Sequence, residues 1–294
     1  MEGLDMNMLK TTFLMALLTG VLVAVGGVFA GHTGMIVMLI ISIGMNFMTY
    51  WYSDKWALAA YDAQEVTASE APELYHLVET LASRDSLPMP RVYIIDSDVP
   101  NAFATGRNPA HAAVAVTTGI MRVLDYNEIA GVLAHELSHV KHRDILISTI
   151  AAAFAGVISI VSDVTRWSAI FGMNSDEDNN SAIGFIFTII VAPIAAMLIQ
   201  LAISRSREYS ADEAGGRLCG NPMYLASALE KLEYCAAHMP PLEKSSPATA
   251  HMFIVDPLEN AKTALKNLFS THPATSDRIA HLRAQAADMQ LLQQ

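Results

Sequence analysis

The stretch Asp125-Tyr126-Asn127-Glu128-Ile129-Ala130-Gly131-Val132-Leu133-Ala134-His135-Glu136-Leu137-Ser138-His139-Val140 decides how the rest of the chain is read. Asp125 followed three residues later by Glu128 is a capping-box pattern. Ile129, Val132, Leu133, Leu137 and Val140 recur at helical spacing, which predicts a helix with one apolar arc flanked by the histidines. At about 3.6 residues per turn and about 1.5 Å per residue, imidazoles four positions apart point the same way, about 6 Å apart along the axis, and can share one metal ion. Glu136 then projects beside the metal, where a carboxylate can take a proton from water and pass it to a leaving amine. The alternative is a helix whose two histidines hydrogen-bond to neighbours, and the rest of the chain has to separate the two.

The composition is 52% hydrophobic and 16% charged with a mean hydropathy of +0.33, which is apolar for a soluble protein and points to membrane spans. Thr11 to Ala30 and Thr33 to Thr49 contain no Asp, Glu, Lys or Arg, and each approaches the ~20 residues a helix needs to cross ~30 Å of hydrocarbon. Ile145 to Ser162 and Ala182 to Ile203 repeat the pattern, so four crossings are expected. Two alternatives stand beside that count: the first segment as a signal peptide, with Lys10 ahead of it, and the third, rich in Ala and Gly, as a buried or re-entrant helix.

Lys55, Lys141, Arg143, Arg205 and Arg207 flank the apolar segments, whereas the loop between the third and fourth sets Arg166 against Asp163, Asp176, Glu177 and Asp178. The positive-inside rule then puts the polar segments and both termini in the cytoplasm and that loop outside. Cys219 and Cys235 form no Cys-x-x-Cys pair, so there is no disulfide framework. A net charge of -11 without a visible basic patch argues against nucleic acid as a partner.

The spacing predicts an amphipathic helix opened by Ser69 and Glu70, with Leu74, Leu77, Val78 and Leu81 on one face. Strands are expected at Arg91 to Asp96 and Ala112 to Thr117, with Asn101, Gly106 and Pro109 marking turns between them. Further helices follow over Arg205 to Leu218, after Asn221-Pro222, and from Ser276. The expected fold is mainly α, an integral membrane protein with a small β-sheet. Its parts are two membrane helices in 1–52, the first half of a polar domain in 53–144, a membrane hairpin in 145–204, and the second half in 205–294.

A catalytic zinc takes three protein ligands and keeps a position for water. Arg207-Glu208-Tyr209-Ser210-Ala211-Asp212 is the best source of the third, because Glu208 and Asp212 lie four apart on one helical face. Glu208 could bind the metal while Asp212 fixes a ligand imidazole's tautomer; the alternative is a solvated acidic face that includes Glu213. An even number of spans between His139 and Glu208 returns both helices to one side of the bilayer, near its surface.

His-Glu-Leu-Ser-His, two apolar segments and Arg-Glu-Tyr-Ser-Ala-Asp, together with Asn101-Ala102-Phe103-Ala104-Thr105-Gly106 and Thr271-His272-Pro273 with Arg278, resemble the HtpX family of membrane-integrated zinc endopeptidases, relatives of the CAAX prenyl protease. The resemblance implies a zincin-type domain on four transmembrane helices. It implies one Zn2+ on His135, His139 and Glu208, Glu136 as general base, and Asn101 lining the site. It also implies that the strand Ala112 to Thr117 offers its edge to an extended peptide, and that His272 and Arg278 are candidates for stabilising the oxyanion; for His272 the alternative is a helix-flanking residue before Pro273. Unfolded or membrane-protein substrates, a bilayer, and a bacterial inner membrane with the site facing the cytoplasm are the implied setting, in protein quality control. The loop Arg107-Asn108-Pro109-Ala110-His111 departs from the family pattern. A non-catalytic zinc sensor or carrier, and a scaffold that has lost activity, are the competing readings. Carriage needs polar groups within the spans, where Asn46 and Gln200 are the clearest, and the intact Glu136 weighs against lost activity.

Overall fold

The computed structural model describes residues 2–145, 205–238 and 273–291. The expected third apolar segment beyond Ile145, the whole of the fourth, and His272 lie outside them.

Helix α1, Glu2–Ala60, is two helices in series, broken at Ala30 (φ -141°) and Gly31 (φ 56°). The left-handed φ at 31 suits a residue without a Cβ, and the break falls between the two apolar segments expected from the sequence. Asn46 Nδ2 donates to Thr19 Oγ1 at 2.9 Å and to Met15 O at 3.3 Å, tying the two arms into a hairpin. Among the described residues one segment, Ala30–Tyr52, is long and apolar enough to cross a membrane; the apolar part of the first arm, Thr11–Ala24, is shorter. Ile36, Ile40, Ile43 and Phe47 on the second arm are exposed, as a helix facing lipid requires and a helix facing water does not.

The second arm runs on beyond Tyr52 into the polar domain without interruption. Leu58 packs against Tyr93, Ile95, Phe103, Ala113 and Ala115 on one face of a four-stranded sheet. Its strands are β1 Gln64–Glu65, β2 Arg91–Ile95, β3 Ala102–Thr105 and β4 Ala113–Thr117. Their order is β1-β2-β4-β3, with β2 and β4 parallel and both edges antiparallel. The other face carries Val92, Val114 and Val116 into the main core with α2, Pro72–Arg84, and α4, Tyr126–His142.

Three sequence expectations are corrected here. Helix α2 starts at Pro72, not Ser69, because Glu70 folds back to accept from Thr67 N and Thr67 Oγ1. The segment from Asn101 to Gly106 is not merely a turn: Ala102–Thr105 is a strand, since β4 has an open side for it to pair with. In consequence β4 lies between β2 and β3, wholly buried, and has no edge to offer a peptide; the edge belongs to β3.

The short α3, Thr118–Val123, leads into α4. The expected capping box is present in both directions: Asp125 accepts from Glu128 N at 3.0 Å, and Glu128 Oε2 accepts from Asp125 N at 2.9 Å. Glu128 also accepts from Ser227 Oγ at 2.6 Å and Lys231 Nζ at 2.7 Å, which pins the start of α4 to α6, Pro222–His238. Helix α4 is buried on nearly all sides, between the sheet, α5 (Arg205–Cys219) and α6. The last helix, α7 at Thr275–Leu291, closes over α5 and α6.

Candidate metal centre

Helix α4 brings His135 and His139 onto the face that meets α5. The crossing is close because Gly215 has no side chain: a Cβ there would lie 2.8 Å from His135 N. At this distance Glu208, two turns earlier on α5, reaches between the imidazoles. His135 Nε2 is 3.6 Å from Glu208 Oε2, His139 Nε2 is 3.5 Å from Glu208 Oε1, and the two Nε2 atoms are 3.2 Å apart. The three residues offer ligand atoms that all lie within 4.8 Å of one another, the two-imidazole, one-carboxylate donor set of zinc hydrolases.

The far sides of the imidazoles face carboxylates. His135 Nδ1 lies 2.9 Å from Asp212 Oδ1, a close approach rather than a straight hydrogen bond. His139 Nδ1 lies 3.3 Å from Asp144 Oδ2. Asp144 gets there because Arg143, in the left-handed region at φ 59°, ends α4 and turns the chain back. Nothing local in the sequence announces this turn, and Asp144 is a site residue that motif reading missed; its position five after His139, just past the helix, is the one available signal.

Asp212 and Arg278 form a buried pair, each 1% exposed. Arg278 Nε donates to Asp212 Oδ2 at 2.9 Å and Nη2 to Oδ1 at 2.7 Å. Burial alone would raise the Asp212 pKa, but the Arg278 charge and hydrogen bonds outweigh it and hold the carboxyl at about 2. Where the resemblance pointed Arg278 at an oxyanion, its Nε and Nη2 are both directed at Asp212. Burial lowers His139, yet Glu208, Asp144 and Glu136 together lift it to about 9. A cluster with this carboxylate surplus attracts a cation, and a metal ion would displace the proton.

Glu136 is 8% exposed and reaches the sheet. Its Oε2 accepts from Ala104 N at 3.0 Å, so the carboxylate is anchored on the free side of β3. Asn101 immediately precedes that strand and is buried at 3% exposure, its backbone paired with Thr117. The structure thus gathers His135, Glu136, His139, Glu208 and Asp212, sets Arg278 behind them, and puts Asn101 at the start of the adjoining strand.

A model of peptidase family M48 matches residues 68–286, which contain all of these side chains. The chain belongs to peptidase family M48. This M48 protein is a metalloprotease, a membrane-associated hydrolase of polypeptides whose family implies a metal ion. Among its relatives, a protease HtpX homolog from Thermococcus kodakarensis is 54% identical over 283 residues, covering 96% of this chain and 97% of the relative. Others described in the same words come from Thermodesulfovibrio yellowstonii, 53% identical over 283 residues (96% and 99%), and Desulforapulum autotrophicum, 53% identical over 280 residues (94% and 89%). The crystal structure of S. mikatae Ste24p superposes with a TM-score of 0.56 at 18% identity, covering 96% of the M48 chain and 66% of that protein's length. At that identity the likeness is one of fold.

Proposed function

We propose that the chain is a membrane-bound zinc endopeptidase in which His135, His139 and Glu208 hold one Zn2+ and Glu136 is the general base. The observation that carries this is the convergence of those three donors, from helices more than sixty residues apart, with Glu136 next to them and held by a strand edge. When bound, the ion supplies Lewis acidity, lowering the pKa of water and polarising the scissile carbonyl. Asp212 and Asp144 take the Nδ1 sides of the imidazoles, so that both present Nε2 inward. Glu136, oriented by the Ala104 N–H, removes the proton of the attacking water and returns it to the leaving amine.

Arg278 is a positioning residue in this reading, acting on His135 through Asp212. His272 is kept as the candidate for stabilising the oxyanion, and Asn101 for lining the substrate path.

An extended substrate strand adds to the edge of β3 that faces away from β4, pairing with the Ala102 backbone and the Ala104 carbonyl while the Ala104 N–H holds Glu136. Recognition through main-chain hydrogen bonds tolerates varied side chains, which suits unfolded stretches of membrane proteins and a role in their quality control. The basic residues Lys55, Lys141, Arg143, Arg205 and Arg207 support a site on the cytoplasmic face, and the resemblance supports a bacterial inner membrane.

The test is cleavage of casein, and then of an unfolded membrane protein, by the detergent-purified chain with and without zinc. Glu136→Gln should keep one zinc per chain and lose turnover by about 10²- to 10⁴-fold. Equal turnover by that variant overturns the mechanism, and bound zinc with no cleavage of either substrate overturns the enzyme in favour of a sensor.

A further inference from the structure

Where α1 leaves the apolar window it borders an open cavity of about 630 Å³ that the catalytic reading does not use. Phe47, Trp51, Tyr52 and Lys55 of α1 line it together with Arg91 and the loop that carries Arg107.

Its charge is opposite in sign to that of the chain as a whole. In a chain of net charge -11, three cations line the cavity against one carboxylate, Asp54. Asp54 is taken by Arg91 at 2.5 Å. Arg107 and Lys55 lie instead against aromatic rings: the Arg107 guanidinium is 4.5 Å over Trp51, and Lys55 Nζ is 5.2 Å from the Tyr52 ring centre. Stacking occupies a guanidinium's face and leaves its edge N–H groups to fork onto a phosphate. Trp and Tyr at the end of a membrane helix mark the headgroup level, so the cavity opens where lipid phosphates lie.

We propose that this cavity binds an anionic glycerophospholipid, its phosphate between Arg107 and Lys55 and an acyl chain along Phe47 and Trp51. The lipid is favoured over free phosphate because Phe47, Trp51 and Tyr52, at the end of the apolar arm of α1, are part of the lining. A lipid there also holds the loop that follows β3, two residues from the end of the substrate edge. The proposal rests on α1 lying in a bilayer, not on the metal centre.

Native mass spectrometry of the full chain in detergent, loaded with dioleoylphosphatidylglycerol or dioleoylphosphatidylcholine, tests it. Phosphatidylglycerol should be retained preferentially. The double variant Lys55→Ala/Arg107→Ala should bind it tenfold or more weakly, with phosphatidylcholine retention and thermal stability unchanged. If the double variant misfolds, Arg107→Gln and Lys55→Gln taken singly should each weaken retention several-fold. Equal retention of both lipids by the unmodified chain, or phosphatidylglycerol binding that survives these substitutions, overturns the proposal. Displacement of the lipid by millimolar inorganic phosphate also overturns it, in favour of a free-phosphate site. A chain that stays soluble without detergent removes the membrane reading itself, whereas a detergent-dependent chain without lipid preference removes only this site.

Discussion

Replacing Arg278 by leucine should separate the stability of the domain from the quality of its metal site. Asp212 is 1% exposed and receives two hydrogen bonds from Arg278, at 2.9 and 2.7 Å. Arg278→Leu leaves that carboxylate buried beside His135 without its counter-charge. Removing one partner of a buried pair costs about 3–5 kcal/mol, which in a chain of this size lowers Tm by roughly 6–20 °C. The Asp212 carboxyl is depressed to about 2 from 3.8. Its stabilisation is therefore complete above about pH 4 and is lost only as pH falls through about 2, so an assay at pH 7.5 reads the full effect. On the proposed reading Asp212 orients His135, so zinc affinity should fall by about 10- to 100-fold. The double variant Asp212→Asn/Arg278→Leu removes both charges and should recover part of the lost Tm while zinc affinity stays low. The assays are thermal unfolding in detergent and zinc competition against a fluorescent chelator. Arg278→Leu with a Tm within about 2 °C of the unmodified protein and unchanged zinc affinity would refute the reasoning.

Gly215→Val places a side chain against the backbone of His135 at the α4–α5 crossing; it should cost about 1–3 kcal/mol and drop zinc below one per chain by elemental analysis. Ala104→Pro removes the N–H that holds Glu136. Because that N–H faces away from β4, the sheet should tolerate proline, and kcat should fall with Tm nearly unchanged; a parallel loss of both would contradict the edge assignment. Chelation should abolish cleavage and lower Tm, and zinc at about 100 times its Kd should restore about 2.7 kcal/mol; a Tm indifferent to zinc would argue against a native site.

The parts of the centre that the sequence announces are those governed by local geometry. His135, Glu136 and His139 share one helical turn, Glu208 and Asp212 another, and the Asp125–Glu128 box is a matter of three residues. What was illegible depends on partners brought from elsewhere. Ala102–Thr105 has too little length and alternation to declare itself a strand, and becomes one only because β4 needs a neighbour. The same ignorance of strand order put the substrate edge on β4. Asp144 escaped notice because its approach to His139 depends on a left-handed arginine. The expected single apolar arc of α4 understated its burial, since the helix is enclosed by the sheet on one side and by α5 and α6 on the others.

The uninterrupted passage of α1 from its apolar arm into the sheet makes it, on the proposed membrane reading, a ruler. Leu58 lies six residues past Tyr52, about 9 Å along a straight helix, and packs on the same sheet whose edge strand holds Glu136. On the proposed reading the height of the cutting plane above the bilayer is thus set by covalent geometry, without a hinge between anchor and blade. A bond within a few extended residues of a membrane span, at about 3.3 Å each, is within reach. A folded domain held farther off must first be pulled down or come apart.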